Sequence, residues 1–124
     1  MLYDFMAQYL NNEFEEIAVL KQSDRGSVTK LRHRESHRLY ICKRFSGSVE
    51  PYRQLIPVYC RSLPRIFDAA EKDGNALVLE EFIPGDTLFG LLEAGPLQET
   101  DVANICRQLG AALYTLNGQK CRLV

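Results

Sequence analysis

The chain has 124 residues, 46% of them hydrophobic and 25% charged, with a formal net charge of −1; this excludes a disordered or fibrous polypeptide and fits one soluble globular domain with a modest core. The balanced charge provides no global field to draw nucleic acid or an anionic membrane, and no apolar run approaches the roughly 20 residues that span a bilayer. Cys42, Cys60, Cys106 and Cys121 are widely spaced, which is neither a zinc pattern nor a dense disulfide framework, so they read as reduced thiols of a cytoplasmic protein.

Apolar residues at Leu2, Phe5, Met6, Tyr9 and Leu10 recur at helical spacing and predict a leading amphipathic helix over residues 1–12. Phe14 to Lys21 reads as a strand, and Gln22-Ser23-Asp24-Arg25-Gly26 is a polar break between strands. Two alternating segments, Ser27 to Arg34 and Arg38 to Phe45, flank the short link Glu35-Ser36-His37 and predict an antiparallel hairpin with Lys43 on its second strand. A short helix is expected from Pro51 to about Ile56, since proline is tolerated in a first turn and Pro57 should stop it.

Strand character returns at Leu63 to Asp68. Ile66 to Glu71 and Ala76 to Ile83 then form a second hairpin, with Asp73-Gly74 as its turn signal. Pro84-Gly85-Asp86 breaks the sheet, Thr87 to Glu93 is expected as a brief helix, and Ala94-Gly95-Pro96 as a turn. From Glu99 to Leu116, the residues Val102, Ile105, Leu109, Leu113 and Leu116 share one face of a five-turn helix that needs an apolar partner. The expected fold class is α+β: a five-stranded antiparallel sheet carrying one inserted helix, followed by helices.

That order of elements resembles the N-terminal lobe of a bacterial-type serine/threonine protein kinase with the first helices of its second lobe. In that family a loop G-x-G-x-x-G-x-V lets backbone N–H groups cover nucleotide phosphates. Here the frame is Lys21-x-Ser23-x-x-Gly26-x-Val28, so Gly26 and Val28 match and two glycines are replaced. Tyr40-Ile41-Cys42-Lys43 resembles the V-A-I-K strand, which implies that Lys43 contacts the α and β phosphates and pairs with a helix carboxylate. Counting back from Leu63 puts that carboxylate near Pro51, with Glu50 one residue away, whereas the stretch Tyr52-Arg53-Gln54-Leu55 puts the position at Gln54; Glu50 is the candidate that keeps the charge, in a slightly shifted register.

Leu77-Val78-Leu79-Glu80-Glu81-Phe82-Ile83-Pro84-Gly85-Asp86-Thr87-Leu88 resembles the family's fifth strand, hinge and following helix. The resemblance implies that Glu80 is the gatekeeper, that the backbone of Glu81, Phe82 and Ile83 meets the adenine edge, and that Leu20 and Val28 lie over the ring. It implies a division into a leading helix (1–12), a kinase-like lobe (13–83) and a hinge with the first helices of a truncated second lobe (84–124). ATP is the implied ligand, with magnesium only if a second lobe is supplied.

The family's substrate-positioning aspartate and its magnesium-holding asparagine and aspartate have no counterparts here. His33-Arg34-Glu35 imitates H-R-D only superficially, because it precedes Lys43, and Asp4-Phe5-Met6 lies in the leading helix. The divergent tail after Leu116 suggests truncation of a longer gene before the catalytic loop. The chain is therefore expected to be inactive in phosphoryl transfer alone.

A different class of function, a protein-interaction or self-association module, is carried by the apolar face of helix 99–116. The basic residues Lys30, Arg32, Arg34, Arg38, Lys43 and Arg44 do not predict a nucleic-acid site, because alternate strand residues face opposite ways and split the patch. His33 and His37 flank a turn with no third ligand nearby and are expected to be solvated.

Overall fold

Met6 and Leu10 lie one helical turn apart and form the inward face of the first helix, α1 (Leu2–Glu13), where both are buried. The computed structural model of the chain describes residues 2–85 and 92–118, with backbone alone for Asn117 and Gly118. After α1 come β1 (Phe14–Ser23), β2 (Gly26–His33), β3 (Leu39–Ser46), a short helix α2 (Glu50–Leu55), β4 (Ile66–Lys72), β5 (Asn75–Glu81) and a long helix α3 (Glu99–Gly118). The fold is α+β. All strands pair antiparallel in one sheet of order β1-β2-β3-β5-β4, with α2 inserted between β3 and β4.

Each turn has a local cause. Asp73 and Gly74 both take positive φ, 52° and 80°, the two-residue geometry whose twist matches that of the flanking strands. The β2–β3 link closes through the His33 amide donating to Arg38 O and the His37 amide donating to His33 O, with His37 itself at φ 62°. Helix α2 starts at Glu50 with Pro51 in its first turn. Ser48 does not cap it in the usual way: its Oγ accepts from the Glu50 amide, and Val49 occupies the cap position without a side-chain bond.

Alternation along the strands divides the apolar residues between two faces. On one face Leu31, Cys42, Leu77, Leu79 and Ala70 pack with Phe14 and with Met6 and Leu10 of α1. On the other, Val78, Ala76, Ala69 and Ile66 form a second core with Val49, and Tyr52, Leu55 and Ile56 of the α2 region pack against it. The sheet is thus covered by a helix on each side. Two ladders are irregular: β1 against β2 has register shifts at Glu16/Ala18 and Val19/Lys21, and β4 against β5 has one at Ile66/Asp68. The β2–β3 and β3–β5 ladders run without a shift.

Several boundaries differ from the sequence reading, among them those of β4, β5 and α3. Strand β4 begins at Ile66 rather than Leu63, and β5 ends at Glu81 rather than Ile83. The strand pair closes where the Glu81 amide donates to Arg65 O at 2.8 Å, and Ser62, Leu63 and Pro64 precede the ladder. Helix α3 continues two residues beyond Leu116. The helix expected over Thr87–Glu93 falls largely outside the described residues, as does the tail with Cys121.

The chain divides into two units, Met1–Tyr59 with Pro64–Phe82, and Cys60–Leu63 with Ile83–Val124. The first holds α1, α2 and the sheet. In the second, α3 begins with Glu99 and Asp101 in its first turn, where acidic side chains complement the helix dipole. Ala112 and Leu116 are buried, whereas Val102, Leu109 and Leu113 of the expected apolar face are exposed. Within this unit the Thr115 hydroxyl donates to the Ala111 carbonyl at 3.0 Å and lies 3.5 Å from Cys60 Sγ. No described helix is long and apolar enough to cross a membrane.

Candidate functional site

Strand register brings the sequence-predicted residues into rows. Lys21 stands opposite Val28, Val28 opposite Lys43, and Lys43 opposite Val78, so the four form one cross-strand row on the α2 side of the sheet. The next row, toward the C-terminal end of β5, holds Lys30, Ile41, Glu80 and Ile66. Lys43 and Glu80 are therefore diagonal neighbours on adjacent strands. Long side chains span that diagonal, and Lys43 Nζ lies 2.6 Å from Glu80 Oε1.

This pair is the most unusual polar feature of the sheet. The Glu80 side chain is 5% exposed and that of Lys43 is 33% exposed. Among the described residues Glu80 is the one charged group in the buried core. A carboxylate desolvated to that degree without a partner would cost several kcal/mol; the Lys43 ammonium compensates it. The ammonium has three N–H donors, so two remain for another acceptor. The Tyr52 ring of α2 lies 6.0 Å from Nζ, at the outer limit of a cation–π contact.

The sequence reading placed Glu50 opposite Lys43; the lysine pairs instead with Glu80. The cause is topological. Strands β3 and β5 are hydrogen-bonded neighbours, so Glu80 is held at a fixed distance from Lys43, whereas Glu50 is an exposed residue at the start of α2. No count along the sequence shows this adjacency, because it requires β5 to insert between β3 and β4.

Gly26 opens β2 at φ 155°, and a Cβ on it would run into the Arg44 carbonyl oxygen of β3. The glycine is required by the close approach of two strand backbones. Beside it is a shallow cleft of about 160 Å³ whose lining includes Lys21, Arg25, Gly26, Val28 and Lys43. Among the described residues no carboxylate lines it. At that size it accepts a phosphate-sized group and is smaller than a typical small-molecule pocket. Lys21 and Arg25 escaped the sequence reading as candidate ligands, since they fill positions where the resembled loop has a glycine and a variable residue.

The other candidates are placed as follows. Leu20 is the extra residue of the second β1 bulge and is exposed. Val28 is half-buried in the cleft. Glu81 is committed within the sheet edge: besides its amide bond to Arg65, its carboxylate accepts from the Arg65 amide at 3.1 Å. The Phe82 ring has Lys30 Nζ 4.4 Å from its centroid. Ile83 belongs to the second unit.

No family model matches this chain, and no curated protein matches it.

The basic hairpin residues are divided by their contacts. Arg32 is ion-paired with Glu15, Lys43 with Glu80, and Lys30 lies against Phe82. On the α1 face, Arg44 lies beside Cys42, whose thiol burial pushes up while the neighbouring guanidinium opposes that shift. Among the described residues no three His, Cys, Asp or Glu side chains are grouped as a metal site.

Proposed function

We propose that this chain is a kinase-like nucleotide-binding lobe in which Lys43 receives the polyphosphate of ATP. The observation that carries the reading is the Lys43–Glu80 ion pair, set on the sheet face beside the Gly26–Val28 segment and a cleft lined by Lys21 and Arg25. Support also comes from the order of elements, in which a helix is inserted between the lysine strand and the last hairpin. The cations offer N–H donors to phosphate oxygens, and Gly26 keeps the backbone close to the place such a group would occupy. The sequence contains no counterpart of the family's substrate-positioning aspartate or of its magnesium ligands, so the lobe by itself binds without transferring phosphate.

The test is thermal unfolding of the purified chain with and without ATP and magnesium, repeated with Lys43→Ala. A ligand that binds only the folded state raises Tm by mass action. A rise for the native chain that disappears in the variant supports the reading; a cooperative transition indifferent to ATP removes it.

The exposure of Val102, Leu109 and Leu113 on α3 favours a second reading, protein interaction or self-association through that helix. A strictly monomeric chain by light scattering, unchanged by polar substitutions at those three positions, counts against it.

A further inference from the structure

Glu80 places a negative charge in contact with the cation that would meet the ligand, and this bears on which anions the site accepts. Resting on the nucleotide-lobe reading above, we propose that Glu80 is a specificity-determining residue that weakens the hold of Lys43 on anions, most strongly on the most highly charged ones.

The geometry supports this in three ways. Glu80 is nearly fully buried between Ile41 and Ile66 in the sheet register, so it does not swing away when an anion arrives. Its partner is more exposed and is one of the residues lining the cleft, so a phosphate group that meets the Lys43 ammonium also comes within a few ångströms of the carboxylate held 2.6 Å from it. And Lys43 does not leave Glu80 for the ligand at little cost, because that would strand a desolvated carboxylate.

Two effects of removing the carboxylate oppose each other. Without Glu80, Lys43 regains rotamer freedom, which disfavours binding, while the anion loses a like charge a few ångströms away, which favours it. At the effective dielectric of a partly exposed site, the charge term is the larger of the two. It also grows with the charge of the ligand. Glu80→Gln is therefore expected to tighten metal-free tripolyphosphate by about tenfold or more and magnesium ATP by less.

The experiment is calorimetric titration of the full chain, as native protein, Glu80→Gln and Lys43→Ala, with metal-free tripolyphosphate and with magnesium ATP. A gain in Glu80→Gln that is larger for tripolyphosphate supports the proposal. An unchanged or weakened tripolyphosphate affinity in that variant, while Lys43→Ala still loses both ligands, overturns the proposal and leaves the nucleotide-lobe reading standing. If Lys43→Ala binds both ligands as the native chain does, the reading of the site itself fails, and the proposal with it. Should Glu80→Gln fail to fold, Glu80→Met removes the same charge with an apolar chain of similar length and carries the same comparison.

Discussion

Leu77 and Val78 are consecutive residues of β5, both with no measurable exposure, yet they are buried in different cores on opposite faces of the sheet. Leu77 joins the cluster under α1 and Val78 the cluster under α2. Because each large-to-small change empties its own side of the sheet, Leu77→Ala should cost about 3 kcal/mol and Val78→Ala about 2 kcal/mol. The two losses should add to within about 0.5 kcal/mol in urea unfolding. A strong coupling between them would mean that the two cores are not separated by the sheet.

Gly26 supports a second prediction. Substitution by alanine puts a methyl group against the Arg44 carbonyl and forces a backbone conformation that L-residues disfavour. Gly26→Ala should therefore destabilise the sheet by about 2 kcal/mol or more, even without any ligand. An alanine variant with native Tm would show that the β2–β3 ladder relaxes freely at this end.

The exposed Lys72–Asp4 ion pair, 2.7 Å between Nζ and Oδ2, ties the start of α1 to β4. The hydrogen bond from Lys72 holds the Asp4 carboxyl below its usual 3.8, and the same bond holds Lys72 above its usual 10.5. A lowered carboxylate value stabilises the fold above 3.8 and stops doing so as pH falls through the lowered value; a raised lysine value stabilises below 10.5 and stops as pH rises through the raised value. Asp4→Asn should thus lower Tm slightly at neutral pH, and the gap to the native chain should close in strong acid and in high salt. An undiminished gap well below pH 3.8 would assign the effect to something other than the ion pair.

Thiol chemistry gives a further check. Cys42 is buried, and burial raises its pKa, so little thiolate is available there; Cys106 is exposed on α3. Brief alkylation of the native chain followed by peptide mass analysis should label Cys106 before Cys60, and Cys42 only on unfolding. Early labelling of Cys42 would show that the core under α1 opens readily.

Much of the layout was legible in the sequence because the signals were local. Asp73-Gly74 specified its own turn, Met6 and Leu10 marked the inward face of α1, and alternation around Lys43 placed it on a strand. The partner of Lys43 was not legible, because Glu80 becomes its neighbour only through the order β3-β5-β4, and nothing within a few residues of either side chain encodes that order. The cationic lining was missed for a related reason. Lys21 reaches the same row as Lys43 only after a bulge absorbs Leu20, and bulges leave little trace in a hydrophobic pattern. The strand ends near Leu63 and Ile83 were overrun because apolar residues continue past the last backbone bonds of the ladder.

The register shifts have a consequence beyond this one chain. Among the described residues β1 and β4 pair on one side only, and both carry irregular ladders, while the three interior strands have none among their mutual pairings. A bulged rim presents its unpaired amides and carbonyls out of step with a straight strand from another molecule. Two copies meeting rim to rim would find few bonds to share, so the sheet is protected against growing into a continuous intermolecular ribbon despite the exposed Ile17, Val19 and Leu20 on its first strand.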